Sequence, residues 1–156
     1  MFQIRKAVTG GIPVFYLSGE IDETVKLQEQ LQFSESEVVF NVRDVIRINS
    51  AGVRGWIHYF ETLQRNQVQF SFVECSPAIV DQMNLISNFL ANGKAISIAV
   101  PFSCQSCSYE FIEFFSISSL IQSHPKEPTA QCAKCGGESL LDEIKEEYLG
   151  FLNRLK

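Results

Sequence analysis

Four of the five cysteines fall in two pairs of identical spacing, Cys104-Gln105-Ser106-Cys107 and Cys132-Ala133-Lys134-Cys135. Each pair can turn two sulfurs toward one ion about 2.3 Å away, and two pairs close a tetrahedral shell of four thiolates. The spacing predicts one structural zinc ion, because a shell filled by protein sulfur has no position for a reactive water. The 24 intervening residues have room for a strand and a loop, and Gly136-Gly137 supplies a turn after the second pair. The competing reading of each pair is a redox dithiol or a merely buried one. A ribbon of this size has little core of its own, so metal binding contributes on the order of 10 kcal/mol to its apparent folding energy. His124, between the pairs, is a substitute ligand that four cysteines make unnecessary, and Cys75, apart from them at a strand end, reads as a packed free thiol.

Before the ribbon, short β-like runs alternate with helical patterns, the rhythm of an α/β domain. Residues 2–8 and 12–17 read as antiparallel strands joined by Thr9-Gly10-Gly11. Ile21, Val25, Leu27 and Leu31 fall near helical spacing and predict a first helix over residues 21–32. Val38-Val39-Phe40 predicts a central strand over 37–42. Val53, Trp56, Ile57, Phe60 and Leu63 mark one face of a helix whose N-cap is Asn49 or Ser50. Val68, Phe70 and Phe72 alternate as a half-buried strand. Ser76-Pro77 then opens a helix that Asn92-Gly93 closes. Beyond Lys94 the composition changes. Residues 95–102 and 109–117 read as strands, 116–131 as a Ser- and Pro-containing loop, and 140–155 as a closing amphipathic helix. The expected fold class is α/β, a mixed sheet of about five strands flanked by helices over residues 1–93, extended by a zinc ribbon and terminal helix over 94–156.

Apolar residues make up 46% and charged residues 20%, the balance of a chain that folds. No apolar run approaches a membrane span, and the opening FQIRK is β-like rather than secretory, so the expected location is cytoplasmic, with no membrane partner. A net charge of -5 opposes the attraction that drives non-specific nucleic-acid binding. His58 lies on the helix after Ser50 without a serine or cysteine nucleophile and orienting group in evidence, and no catalytic site is apparent; the chain is not expected to be an enzyme. Phe111, Phe114 and Phe115 read as ribbon core rather than an exposed patch, and Asp142, Glu143, Glu146 and Glu147 as a solvated acidic face.

Three segments resemble the STAS domain of anti-sigma factor antagonists: Leu17-Ser18-Gly19-Glu20-Ile21-Asp22 its strand-to-helix signature, residues 38–45 its central strand, and residues 76–80 the start of its last helix. Ile48-Asn49-Ser50-Ala51-Gly52-Val53 resembles the D-S-[ST]-G-[LV] turn, whose first serine is the phosphorylation site in bacterial antagonists. Ser50 keeps that position, Asn49 replaces the usual acid and Ala51 the second hydroxyl. The tail, residues 132–152, is similar to zinc ribbons that end in C-x-x-C-G-G, an acidic stretch and a Tyr-containing helix.

The resemblance implies a non-catalytic, bacterial regulatory module that signals to transcription by binding a protein partner, often a kinase-like anti-sigma factor. The expected docking surface surrounds Asn49, Ser50, Gly52 and Arg54, and Ser50 is the candidate phosphorylation switch. The alternative is a nucleic-acid-binding transcription regulator that uses the ribbon, a reading the acidic charge disfavours. Homodimerisation stays open.

Overall fold

The computed structural model describes residues 1–123 and 126–155. His124 lies outside them. A hairpin of β1 (Gln3–Thr9) and β2 (Ile12–Ile21) opens the chain, and the short α1 (Leu27–Gln30) leads into the long β3 (Glu37–Ile48). After β3 come α2 (Ser50–Arg65), β4 (Gln69–Val73), α3 (Pro77–Leu85) and the two-residue β5 (Lys94–Ala95). These strands form one sheet in the order β1-β2-β3-β4-β5, antiparallel in the hairpin and parallel from β2 onward. The expected α/β class and five-stranded mixed sheet are therefore present.

Phe15, Phe40 and Phe72 face one another across β2, β3 and β4, because the parallel register pairs Phe15 with Phe40 and Phe40 with Phe72. Trp56 and Phe60 from α2 cover this row, with Phe60 edge-on to Phe40 at 5.0 Å. Such contacts contribute about 0.5–1.5 kcal/mol per aromatic pair beyond the area they bury. Strand β3 runs six residues past the expected end at Val42, and two register irregularities let its far half stay paired with β2 out to Ile21 and Ile48. That extension carries the chain directly to Asn49.

A second sheet follows: β6 (Ser97–Cys104), β7 (Glu110–Ser116), β8 (Thr129–Gln131) and β9 (Glu138–Leu141), ordered β7-β6-β9-β8 and antiparallel throughout. Helix α4 (Ile117–Ser123) connects β7 toward β8, and α5 (Lys145–Tyr148) with a 3-10 turn (Gly150–Arg154) closes the chain. The two sheets share one core. Cys75 N–H donates to the Ser97 carbonyl and the Cys75 carbonyl accepts from Ala99, so β6 runs beside the end of β4. Asn84 of α3 donates to the Tyr148 carbonyl and accepts from Phe151 N–H, both at 2.8 Å, while Tyr148 Oη donates to the Ala99 carbonyl at 2.6 Å.

Several expected elements are corrected. The first helix does not begin at Ile21: that residue ends β2 opposite Ile48, and Asp22 turns the chain by accepting from both Thr24 N–H and Thr24 Oγ1. α3 stops at Leu85 rather than Asn92, and residues 87–92 fold as turns. The strand expected over 95–102 is split at Ile96 between the two sheets. The loop expected over 116–131 contains α4 and β8. The terminal helix is divided, since Leu140 and Leu141 pair in β9 with Ser103 and Phe102, leaving only α5 and the 3-10 turn.

Candidate functional site

The antiparallel pairing of β6 with β9 and β9 with β8 brings the two cysteine pairs to one end of the second sheet. Cys104 closes β6 and Cys132 follows β8, both buried, while Cys107 and Cys135 sit exposed in the turns that follow. Cys104 Sγ lies 3.5 Å from Cys135 Sγ and Cys107 Sγ 3.7 Å from Cys132 Sγ. All four sulfurs fall within 4.8 Å of one another. A tetrahedron with 2.3 Å arms has edges of about 3.8 Å, so the arrangement can hold one metal ion.

The knuckles aim backbone amides at the sulfurs. Ser106 and Cys107 N–H point to Cys104 Sγ at 3.4 and 3.5 Å, Lys134 N–H to Cys132 Sγ at 3.3 Å, and Gly137 N–H to Cys135 Sγ at 3.4 Å. The Cys107 and Ser106 amides hold the Cys104 thiol down to about 6. At Cys132 burial opposes ionisation, but the Cys135 and Lys134 amides outweigh it and lower the thiol. Gly137 N–H favours the Cys135 thiolate, yet the neighbouring Cys104 and Cys107 thiols push it up to about 12. Four anionic sulfurs this close require a cation to ionise together, which is the chemistry of a divalent thiolate site. Gly137 lets the two knuckles close on each other, because a Cβ there would stand 2.7 Å from Ser106 Oγ and 3.1 Å from Cys104 Sγ and would have to push the serine side chain aside. Among the described residues no histidine or carboxylate joins the cluster.

The second candidate surface is the start of α2. Asn49 is the N-cap: its side-chain oxygen accepts from Gly52 N–H at 2.8 Å, and its own N–H donates to the Ile21 carbonyl at 3.1 Å. Ser50 is the first helical residue and is exposed, as is Arg54 one turn on. Gly52 is buried and packed so tightly that a Cβ would lie 2.2 Å from the Ile21 carbonyl oxygen. The four residues thus lie in the first two turns of the helix and its cap: Asn49, Ser50 and Arg54 are exposed, while Gly52 and the Asn49 backbone fix the start of the helix against β2. Sequence reasoning missed Glu23, whose Oε2 accepts from Asn49 Nδ2 at 3.0 Å. The acid usual at position 49 of the motif is replaced by an amide, and Glu23 brings a carboxylate to the same turn. Its only signal in the sequence is an acid just beyond β2, inside the run whose spacing predicts the first helix.

His58 lies exposed on α2, away from the cysteine cluster. Of the three ribbon phenylalanines, Phe111 and Phe115 pack on the common core, while Phe114 lies under the Arg43 guanidinium of β3, 4.7 Å from its ring centre. Around the knuckles, residues 104–110 and 132–138 hold one basic side chain, Lys134, against Glu110 and Glu138. No helix among the described residues is long and apolar enough to cross a membrane.

Comparison with curated proteins returns no match. The family model of the STAS domain matches residues 3–91, more than half of the chain and the whole run from β1 through α3, including the Asn49–Gly52 turn. STAS domains are generally regulatory modules that mediate protein–protein interactions. The four-cysteine cluster able to bind a metal lies outside that match, and with its hairpin-initiated mixed sheet and its family match over residues 3–91 this chain belongs to the STAS domain family.

Proposed function

We propose that the protein is a non-catalytic, cytoplasmic regulatory module. It docks a protein partner, of the kinase-like anti-sigma factor type, through Asn49, Ser50, Gly52 and Arg54, and carries one structural zinc ion on Cys104, Cys107, Cys132 and Cys135. The observation that carries the reading is the exposed Ser50 hydroxyl at the first position of α2 within the family-matched segment.

A phosphate on Ser50 would add about -1.5 to -2 charges at a helix N-terminus, where unpaired N–H groups and the dipole stabilise it. A partner docked on that turn would meet the new charge across a drying interface, beside the carboxylate of Glu23. One modification would then weaken docking without refolding the domain, since Gly52 and Asn49 are held by backbone contacts that Ser50 does not supply. The zinc has a different part: a full sulfur shell fixes the knuckles of the second sheet.

The test is a pull-down from the source cells with wild type, Ser50→Ala and Ser50→Asp as baits, read by mass spectrometry. The expected result is a partner recovered by wild type and Ser50→Ala and lost with Ser50→Asp. Equal recovery by all three would remove Ser50 as the switch.

A further inference from the structure

A cleft of about 730 Å³ opens at the seam where the second sheet's appendages meet the family-matched part. Its volume lies inside the range of about 300–1,000 Å³ that small-molecule sites occupy. Ile86, Phe89 and Leu90, from the turns after α3, form one wall. Ile117 and Ile121 of α4 and Leu155 after the 3-10 turn form the other. Two large apolar side chains in it remain open to water, Leu155 at 51% and Ile96 at 42% exposure. Buried apolar surface is the ordinary fate of such residues when they adjoin a core, and a lined cleft that leaves them wet is what an apolar ligand covers.

The charges in the cleft are of one sign. Lys94 and Arg154 are the charged residues that line it, and no aspartate or glutamate does among the described residues. That bias runs against the whole chain, whose net charge is -5. Among the described residues neither Lys94 nor Arg154 has an ion-pair partner, and Arg154 donates to the Met83 carbonyl, a neutral acceptor. We infer that the cleft binds a small amphipathic anion, a single apolar chain lying between α4 and the turns after α3 with its carboxylate or phosphate head at Lys94 and Arg154. This site lies apart from the cysteine cluster and the Ser50 turn and does not rest on the function proposed for either.

The chain contains one tryptophan, Trp56, which is placed to report occupancy. It stacks on Phe89 of the cleft wall at 5.1 Å and donates from Nε1 to the Phe89 carbonyl at 2.9 Å. The full-length, metal-loaded protein is titrated with dodecanoate, dodecyl phosphate, dodecan-1-ol and dodecyltrimethylammonium, all below their micelle-forming concentrations. Heat and Trp56 emission are followed together. Saturable binding of one dodecanoate or dodecyl phosphate per chain, with the cationic amphiphile at least about tenfold weaker, is expected, the tighter of the two anions naming the head. Lys94→Ala should weaken the anions by about tenfold and leave dodecan-1-ol unchanged, and it touches no structural hydrogen bond; Arg154→Ala should do the same if its terminal turn persists by circular dichroism. Absence of saturable binding, equal binding of anionic and cationic amphiphiles, or an unaltered anion affinity in Lys94→Ala would each overturn the inference.

Discussion

Gly52 and Gly55 stand three residues apart on α2 under opposite constraints. A Cβ at Gly52 would meet the Ile21 carbonyl at 2.2 Å, whereas one at Gly55 would meet nothing within 4 Å. Gly52→Ala is therefore expected to destabilise the fold by about 1–3 kcal/mol through overpacking. Gly55→Ala should stabilise it by about 0.5–1 kcal/mol through helix propensity. Urea unfolding of the two variants checks both signs, and equal shifts would mean that the helix does not rest on β2. Cys75 gives a second test at this scale. Complete burial pushes its thiol up to about 12 from an ordinary 9.0, so the folded state keeps a proton that the unfolded chain has lost between those values. Fewer protons bound in the unfolded state means stability that is intact below about pH 9 and falls as pH rises toward about 12. The urea midpoint of wild type should drop more between about pH 8 and pH 10.5 than that of Cys75→Ala. Identical slopes would place Cys75 in contact with solvent.

At the scale of elements, the start of α2 depends on its cap. Asn49→Ala should cost about 1 kcal/mol, and Asn49→Ser should recover most of it, because a hydroxyl can still accept from Gly52 N–H. Asn49→Asp keeps the cap but sets a carboxylate against Glu23, so it should fall between the two and improve at high salt. This cap was legible in the sequence, since Asn49 and Ser50 precede a helical face whose Trp56, Phe60 and Leu63 are all buried. The alternation Val68, Phe70, Phe72 likewise foretold β4. Other elements were misread for identifiable reasons. Ile21, Val25, Leu27 and Leu31 do have helical spacing, but pairing of Ile21 with Ile48 and the Asp22–Thr24 turn outweigh a weak local preference. Leu140 and Leu141 also continue a helical period, yet they are needed as the strand between β6 and β8, a non-local pairing invisible to a local pattern. α4 was hidden by its serines, Ser118, Ser119 and Ser123, which favour turns until Ile117 and Leu120 are buried by the sheet.

Across the whole molecule, the cysteine-bearing sheet is tied to the STAS part by the β4–β6 bridge at Cys75, by Asn84, and by Tyr148, whose hydroxyl is buried against the Ala99 carbonyl. Tyr148→Phe leaves that carbonyl without its partner and should cost about 1–2 kcal/mol, read as a lower urea midpoint. The pairing of the four cysteines was the most legible feature of all, because C-x-x-C spacing fixes two sulfurs on one turn regardless of the fold around it. What the spacing did not reveal is how the ribbon is mounted: β6 continues beside β4 and buries Ile98, Val100 and Phe102 in the common core. The function proposed for this unit rests on Cys104, Cys107, Cys132 and Cys135 holding one structural zinc ion together. Native mass spectrometry of freshly purified, reduced protein tests it most directly. The expected result is a single zinc ion per chain, lost in Cys104→Ser, with the near-ultraviolet circular dichroism of the folded chain collapsing in part on chelation. A fully reduced chain that carries no metal and keeps an unchanged spectrum with or without chelator would contradict it.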